Sequence, residues 1–274
     1  MGNICQMSQV KPKKALGQHF LTDLSVAARI AATLDAYKGM PVLEVGPGMG
    51  VLTRPLLEAG HDVTVVEIDR ESVDYLKINF PGLNNGSRIV EGDFLKLDLA
   101  ALFPGRKFCV IGNYPYNISS QIFFHVLDYK DLIPCCSGML QREVAERIAA
   151  GPGTKARGIL SVLLQAWYDI DYLFTVSEHV FNPPPKVKSG VISMRRNNVT
   201  DLGCDETLFR IVVKTTFGQR RKTIRNSVRS LLPPGPQPID GPLMALRPEQ
   251  LSVAQFIDLT NLVSSARKSA INCN

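Results

Sequence analysis

Residues 42–50 have the sequence VLEVGPGMG, in which a short apolar run leads into a turn that contains three glycines. The run is typical of a buried strand, and a helical pattern over 51–59 follows the turn directly. Glycines let the backbone turn sharply and approach a ligand closely. This order of strand, turn and helix predicts an α/β fold that holds a nucleotide-like ligand at the carboxyl edge of its sheet.

More strand and helix patterns alternate downstream of this turn. Apolar runs predict strands at 63–68, 88–90, 108–112, 137–141, 170–176 and 191–195. Helical patterns at 71–80 and 119–127 separate some of these strands. Strands separated by helices indicate a Rossmann-like, parallel α/β sheet that helices cover on both faces.

The chain turns polar at 197–203, and the region that follows lacks strand patterns. Helices are predicted at 206–216 and 220–232, before a proline-rich break at 233–236. A last helix opens at 247–250, with an apolar stripe of Phe256, Leu259, Leu262 and Val263. We therefore expect a flexible basic arm over 1–14, an α/β domain over 15–198 and a small all-helical domain over 199–274.

Composition narrows the range of functions. The net charge is +6, and eleven Lys or Arg against three Asp or Glu lie between residues 186 and 230. This basic segment favours a polyanionic partner, although it is also compatible with an ordinary basic surface. No apolar run approaches the roughly eighteen residues of a membrane span. The six cysteines form no Cys-x-x-Cys pair, so we expect a cytoplasmic, metal-free protein with free thiols, as a monomer.

The glycine turn and the acids near it suggest a particular cofactor. Glu67 ends the next predicted strand, 21 residues after Gly46, where a carboxylate can accept hydrogen bonds from ribose hydroxyls. The spacing Gly-x-Gly-x-Gly favours S-adenosylmethionine over a dinucleotide, and Glu44 suits a cationic amino-acid group. Asp93 can accept from the adenine amine with Phe94 near the base, although Asp93 is also a common turn residue.

A second site is predicted at the sequence NYPY, residues 113–116, which follows an apolar strand. The side-chain oxygen of Asn113 and the carbonyl of Tyr114 can accept both hydrogens of an adenine amine and so localise its lone pair. Pro115 fixes the bend, and Tyr116 can stack on the base. The alternative is an ordinary turn between a strand and a helix.

The proline-rich segment 181–187 precedes the last predicted strand. A base in folded nucleic acid must leave its stack before it reacts, and Phe181 can face Tyr116 across such a base. Equally, Phe181 can belong to the hydrophobic core, with the prolines as a stiff connection. Lys186 and Lys188 in the same segment are candidates for phosphate contacts.

Seven stretches together resemble the small-subunit ribosomal RNA adenine dimethyltransferases. They are KALGQHFL (14–21), EVGPGMG (44–50), VEID (66–69), EGD (91–93), NYPYNIS (113–119), FNPPPKVKS (181–189) and FGQRRKTIRNS (217–227). The resemblance implies a class I methyltransferase domain and a small helical domain. It also implies transfer of methyl groups from S-adenosylmethionine, leaving S-adenosylhomocysteine, to two adjacent adenines in the 3′-terminal helix loop of small-subunit rRNA.

The residues and the resemblance together define three candidate sets. The cofactor set is Gln18, His19, Leu21, Gly46, Gly48, Glu67, Ile68, Asp93, Phe94 and Asn113. The catalytic set is Asn113, Tyr114, Pro115, Tyr116 and Phe181. The RNA-binding set is Lys13, Lys14, Lys186, Lys188, Arg220, Arg221, Lys222 and Arg225. In the predicted helix from 220, Arg221, Arg225 and Arg229 would form a stripe for phosphates.

Tyr114 departs from the resembled family, which usually has an aliphatic residue there. The backbone carbonyl of Tyr114, and not its side chain, would accept from the adenine amine. We therefore expect this departure to have little effect on catalysis. Alternative functions are a large-subunit rRNA adenine methyltransferase of the resistance type and a DNA adenine methyltransferase. A third is a ribosome-assembly factor that kept the fold without catalysis.

Overall fold

The structure, a computed structural model, describes residues 10–13, 16–84, 87–232 and 240–272. These residues form two compact units, the first over 1–145 and 171–195 and the second over 146–170 and 196–274. Most of the arm predicted over 1–14 lies outside the described residues. So do Lys14 and the proline-rich break at 233–236.

Nine strands lie in the described chain. They are β1 (Phe20–Leu21), β2 (Pro41–Val45), β3 (Asp62–Glu67), β4 (Ile89–Glu91), β5 (Cys109–Asn113), β6 (Cys135–Gln141), β7 (Tyr168–Val176), β8 (Phe181–Asn182) and β9 (Ser189–Arg196). Every strand that the apolar runs predict is present, with ends that move by at most a few residues. The two-residue strands β1 and β8, which pair with each other, are too short to give a pattern in the sequence.

Seven of these strands form one sheet in the order β4-β3-β2-β5-β6-β9-β7. The five strands β4, β3, β2, β5 and β6 pair with one another in parallel, whereas β9 pairs antiparallel with β6. The prediction of an α/β sheet is confirmed, but the expectation that it is parallel throughout is wrong. An apolar run in the sequence shows that a strand is buried, but it does not show in which direction the strand runs. That direction depends on how the chain enters the sheet before β9.

The first unit contains the helices α1 (Leu24–Ala31), α2 (Thr53–Glu58), α3 (Arg70–Asn79), α4 (Pro81–Asn84), α5 (Leu99–Leu102) and α6 (Ser119–Asp128), and α7 (Arg142–Ala149) begins in it. All five residues of β2 are buried. One core cluster joins Ile30 and Leu34 to the strand residues Val42, Val63 and Ile111, all 0% exposed. This core holds the strand ends in place and so positions the loops that follow them.

The second unit contains α8 (Ile159–Gln165), α9 (Glu206–Gly218), α10 (Ile224–Ser227) and α11 (Val253–Asn272). Phe217 on α9 stacks on Phe256 of α11 with ring centroids 6.0 Å apart. Phe256, Leu259 and Val263 are fully buried, as the apolar stripe predicts. Leu262 was wrongly included in this stripe, because it is 40% exposed.

The helix predicted at 220–232 is the largest correction in the second unit. Residues 220–223 form a turn, α10 covers four residues, and Arg229–Leu231 form a short 3-10 segment. Residue 221 therefore does not lie on a common helix with residues 225 and 229, and the predicted arginine stripe does not form. The backbone of Ile224 donates to the carbonyl of Leu246 at 2.7 Å, a long-range bond that starts α10 later than the local pattern indicates.

In the part of the chain that the structure describes, no helix has the length and apolar character that crossing a bilayer requires.

Candidate functional site

A cavity of about 360 Å³ lies in the first unit, at the carboxyl ends of β2, β3, β4 and β5. Its walls come from the loops that follow these strands and from the segment before and within β1. Of the predicted cofactor and catalytic residues, all but Phe181 line this cavity. The parallel strands bring these residues together, because their carboxyl ends meet at one edge of the sheet.

The glycine turn forms one wall of the cavity. Gly46, Gly48 and Gly50 have φ values of 66°, 55° and 75°, in the left-handed region that side chains disfavour. A Cβ atom on Gly48 would lie 2.8 Å from the ring of Phe20. The turn therefore needs glycine both for its conformation and for the space next to β1, and it presents bare backbone to a ligand.

Glu67 ties the end of β3 to this turn. Its Oε2 accepts from the Gly48 N–H at 3.0 Å, and its Oε1 accepts from the N–H groups of Ile68 and Asp69, both at 2.9 Å. Burial raises the pKa of Glu67, although the three backbone donors oppose the shift. A carboxylate oxygen can accept more than one hydrogen bond, so Oε2 retains a lone pair for a ligand hydroxyl.

Asp93 and Phe94 line the cavity after β4. Asp93 Oδ1 accepts from the Leu95 N–H at 3.0 Å and caps a short 3-10 segment, and its Oδ2 lies 3.7 Å from Lys96 Nζ. The predicted turn role of Asp93 is thus present in the structure, alongside its place in the cavity wall. Phe94 is buried, and its ring meets that of His125 edge-on at 5.2 Å.

The segment before β1 is held by Asp69, a residue that the candidate sets omit. Lys13 Nζ contacts Asp69 Oδ1 at 2.5 Å and Glu71 at 3.1 Å, and Gln18 Nε2 donates to Asp69 Oδ2 at 3.4 Å. The ammonium of Lys13 is therefore paired with two carboxylates. The prediction that Lys13 contacts RNA is not supported by this pairing. The position of Asp69, two residues after Glu67 in the VEID stretch, was the available signal.

Asn113 and His19 meet at the other side of the cavity. The Asn113 amide nitrogen donates to the backbone carbonyl of His19 at 3.1 Å. The amide oxygen is thus the group that Asn113 can offer as an acceptor. The His19 ring lies 2.8 Å from the Pro183 carbonyl through Nδ1 and stacks on Tyr116, with centroids 5.5 Å apart.

The side chain of Tyr114 is only 1% exposed, so what it offers the cavity is its backbone. Its hydroxyl donates to the Ser137 carbonyl at 2.7 Å. The ring fits against Gly112 and Gly138, where an added Cβ would lie 3.0 Å and 2.7 Å from ring atoms. These two glycines make room for a tyrosine where the resembled family usually has an aliphatic residue.

Tyr116 is anchored by a residue that the sequence did not single out. Its hydroxyl lies 2.5 Å from the hydroxyl of Ser189, which is fully buried at the start of β9. Ser189 is the last residue of the stretch 181–189, so the signal was present, but nothing in the local pattern shows which residue it contacts. The bond holds the Tyr116 ring in one orientation on the cavity wall.

Phe181 does not lie in the cavity. It is 4% exposed, belongs to the core cluster and pairs in register with Leu21. The structure therefore places Phe181 in the hydrophobic core and not opposite Tyr116 across a base, because the pairing of β8 with β1 turns the ring inward. Lys186 and Lys188, later in the same segment, are exposed.

The basic residues of the second unit differ in their partners. Arg220 Nε lies 3.7 Å from Glu249, and Arg225 donates to Asp240 at 2.7 Å. Arg221 and Lys222 are exposed in the turn that separates α9 from α10. Of the four predicted RNA contacts here, these two have the charges most available to a phosphate.

The sheet order, the glycine turn and the acid at the end of β3 define a Rossmann-like, class I methyltransferase. A family model described as ribosomal RNA adenine dimethylase matches residues 9–264. The chain belongs to this family, and its enzymes are rRNA methyltransferases.

Two relatives illustrate the similarity in sequence. A ribosomal RNA small subunit methyltransferase A from Parabacteroides distasonis is 70% identical over 254 residues, which cover 93% of this chain and 94% of that protein. A protein of the same description from Bacteroides thetaiotaomicron is 62% identical over 264 residues, covering 96% and 98%.

Two solved structures share the fold. A dimethyladenosine transferase from Plasmodium falciparum has a TM-score of 0.73 at 23% identity and covers 92% of this chain and 98% of its own. A 23S rRNA methyltransferase, ErmE, has a TM-score of 0.63 at 25% identity, with coverage of 89% and 99%. The class I methyltransferase fold predicted from the sequence is confirmed.

Proposed function

We propose that this chain transfers methyl groups from S-adenosylmethionine to the N6 amines of two adjacent adenines. The adenines lie in the 3′-terminal helix loop of small-subunit rRNA and become N6-dimethyladenines during ribosome biogenesis. One observation carries the proposal: a single cavity joins the glycine turn and Glu67 to the Asn113–Tyr116 segment. A methyl donor at the first group of residues and a base at the second would be adjacent.

The residues present fit the donor. An added Cβ on Gly46 would have only Pro115 Cδ within 4.0 Å, so the bare backbone leaves open space there, and Oε2 of the buried Glu44 makes no hydrogen bond with the described residues. Glu67 would accept from the ribose, and Ile68, Asp93 and Phe94 would hold the adenine. When bound, the donor supplies an electrophilic methyl group on a sulfonium.

The chain's own groups would activate the acceptor amine. An adenine amine is a weak nucleophile, because its lone pair is delocalised into the ring. Acceptors on both amine hydrogens, the Asn113 amide oxygen and the Tyr114 carbonyl, would localise that pair. Pro115 fixes their direction, and the anchored ring of Tyr116 would stack on the extruded base. The methylated amine loses its proton readily, so this scheme requires no strong general base.

The role of Tyr116 predicts a difference between two substitutions. Tyr116→Ala should lower kcat/KM for rRNA by about 10- to 100-fold, because a stacked base is stabilised by about 1–3 kcal/mol. Tyr116→Phe keeps the ring and loses only the Ser189 bond, so its loss should be a few-fold at most. Steady-state methylation of unmodified small subunits measures both, and Tyr129→Ala, outside the cavity, is the control. Equal losses for Ala and Phe would show that the ring does not stack.

The second unit allows a test of RNA binding. Arg221→Ala combined with Lys222→Ala should weaken rRNA binding and reduce the slope of log K against log salt by up to about two units, because two phosphate contacts are lost. Arg225→Ala should have less effect, since Asp240 already pairs with this charge. Lys268→Ala, at an exposed lysine on α11, removes one positive charge away from this turn and should lower the slope less than the double variant does. An unchanged slope in the double variant would show that this turn does not contact RNA.

The main alternative is a large-subunit rRNA adenine methyltransferase. ErmE, which has this description, shares the fold at 25% identity, whereas the small-subunit relative from Parabacteroides distasonis is 70% identical. A non-catalytic assembly factor is the other alternative, and the complete set of cavity residues argues against it. The small-subunit enzyme is therefore the function that we propose, with a cytoplasmic location and a monomeric state as predictions.

Mapping of the modified nucleotide tests the proposal. Purified protein is incubated with unmodified small subunits, or separately with large subunits, and S-adenosylmethionine labelled in its methyl group. We expect label on two adjacent adenines near the 3′ end of the small-subunit rRNA. Label on a large-subunit adenine would support the resistance-type alternative, and tight binding to small subunits without any label would support the assembly factor.

A further inference from the structure

Glu44 is a buried acid on β2, two residues before Gly46, and it lines the cavity. Its side chain is 1% exposed, and its Oε2 has no hydrogen-bond partner among the residues that the structure describes. Burying a carboxylate without a partner is costly, so such a group normally holds a proton instead. A buried carboxyl group with one unpartnered oxygen, on the wall of a ligand cavity, is placed to meet a charged or polar group of a ligand.

Among the residues that the structure describes, the neighbours of Glu44 offer it no positive charge. The neighbouring strands place the apolar residues Val65 and Ile111 in register with it. The Thr53 hydroxyl at the start of α2 faces its carboxyl group, and Glu67 at the end of β3 adds a second acid nearby. Burial raises the pKa of Glu44 to about 8; the negative charge of Glu67 adds to the rise, and Thr53 opposes it.

We propose that Glu44 carries a proton while the cavity is free of donor, and releases it when the α-ammonium of S-adenosylmethionine binds against it. This inference rests on the proposed function, since it requires S-adenosylmethionine as the ligand. The O–H bond of the carboxyl group breaks, the proton passes to the buffer, and the resulting carboxylate pairs with the ammonium. The buried acid would then be neutral in the free protein and charged only beside a cation.

The direction of the pH dependence follows from this exchange. The free carboxyl group is mostly protonated below pH 8, and the cation lowers its pKa in the complex. Binding below pH 8 therefore releases about one proton per donor, and the affinity rises by about tenfold per pH unit. Above pH 8 the free carboxyl group is already ionised, while the ligand's own α-amino group, with an ordinary pKa of roughly 8, loses its proton, so the release ends and the affinity falls again.

Calorimetry of the full chain measures the protons directly. Binding heats in pairs of buffers that differ in ionisation enthalpy, such as phosphate and Tris near pH 7, give the number of protons exchanged at each pH. S-adenosylmethionine should release about one proton near pH 7, whereas near pH 9.5 it should take up a proton, because its amine is then mostly neutral and Glu44 is already ionised. S-adenosylhomocysteine keeps the ammonium and lacks the sulfonium, so it should release the same number. Methylthioadenosine lacks the ammonium and should release none.

Glu44→Gln is the matched variant, because it keeps the shape of the side chain and cannot ionise. The α-amino group of the ligand titrates in the same way with both proteins. The difference between their proton exchanges on binding therefore reports Glu44 alone. We expect the variant to bind the donor without the additional proton release and with a weaker rise in affinity from pH 6 to 8. If the variant does not fold, the comparison of donor with methylthioadenosine on the unaltered protein decides the question.

The possible failures are distinguishable. An absence of binding by S-adenosylmethionine at every pH would overturn the proposed function and this inference together. Tight binding with equal proton release by the unaltered protein and Glu44→Gln, or by donor and methylthioadenosine, would overturn this inference alone. Release with S-adenosylmethionine but not with S-adenosylhomocysteine would overturn the assignment to the ammonium and indicate the sulfonium.

Discussion

Asn113→Ala should reduce the methylation of small subunits by about a thousandfold while the affinity for S-adenosylmethionine changes by less than about tenfold. The amide oxygen would accept from the adenine amine most strongly as its lone pair localises in the transition state. Its loss therefore lowers kcat more than it lowers binding. Single-turnover methylation and calorimetry of donor binding measure the two effects separately.

Two further variants make this test specific. Asn113→Asp keeps an acceptor oxygen but loses the N–H donor to the His19 carbonyl, so its activity should be intermediate. Asn79→Ala removes an equivalent amide from α3, where it donates to the Tyr75 carbonyl at 2.8 Å outside the cavity, and should leave turnover unchanged. Turnover of Asn113→Ala within a few-fold of the unaltered protein would refute the role proposed for the amide.

Glu67→Ala should weaken donor binding by about 100-fold or more, because each hydrogen bond to a charged acceptor contributes about 1.5–3 kcal/mol. It should also lower the Tm, because the N–H groups of Gly48, Ile68 and Asp69 lose their acceptor. Part of the loss in affinity would then come from a glycine turn that is no longer held. Calorimetry of donor binding and thermal unfolding without ligand separate the two contributions.

Glu71→Ala provides the control for Glu67→Ala. This acid is four residues away, its side chain is 60% exposed, and it pairs only with Lys13 at 3.1 Å among the described contacts. A surface ion pair contributes about 0–1 kcal/mol, so both the donor affinity and the Tm should change little. Glu67→Gln retains one acceptor oxygen but turns an N–H group toward one of the backbone donors. Its donor affinity and Tm should therefore fall between those of Glu67→Ala and Glu71→Ala. Full donor affinity in Glu67→Ala would remove this acid from the site.

Features that depend on neighbours in the sequence were predictable. The glycine turn needs positive φ values that its own glycines allow, and the burial of β2 and β5 follows from their mostly apolar runs, although β2 contains the acid Glu44. The acid at the end of β3 was placed correctly in the cavity wall because parallel strands share an edge. The residues of this cavity were therefore named from local patterns and from the resemblance.

Contacts between distant residues were not predictable in this way. The ring of Phe181 turned out to be buried because β8 pairs with β1, and Ser189 anchors Tyr116, 73 residues earlier in the chain. Lys13 and Arg225 are paired with carboxylates, although the basic patterns that contain them favoured phosphate contacts. A charge pattern shows which side chains are ionised but not which partners the fold places beside them.

By itself, the amino-acid sequence determined the α/β class, the glycine turn and the chemistry at the strand ends, since these depend on backbone preferences and apolar periods within a few residues. Only the tertiary structure decided the antiparallel insertion of β9, the partners of the basic residues and the enclosure of Glu44, which has no counter-charge within the described part of the chain. The physical reason is that burial and pairing are set by the packing of elements far apart in the chain.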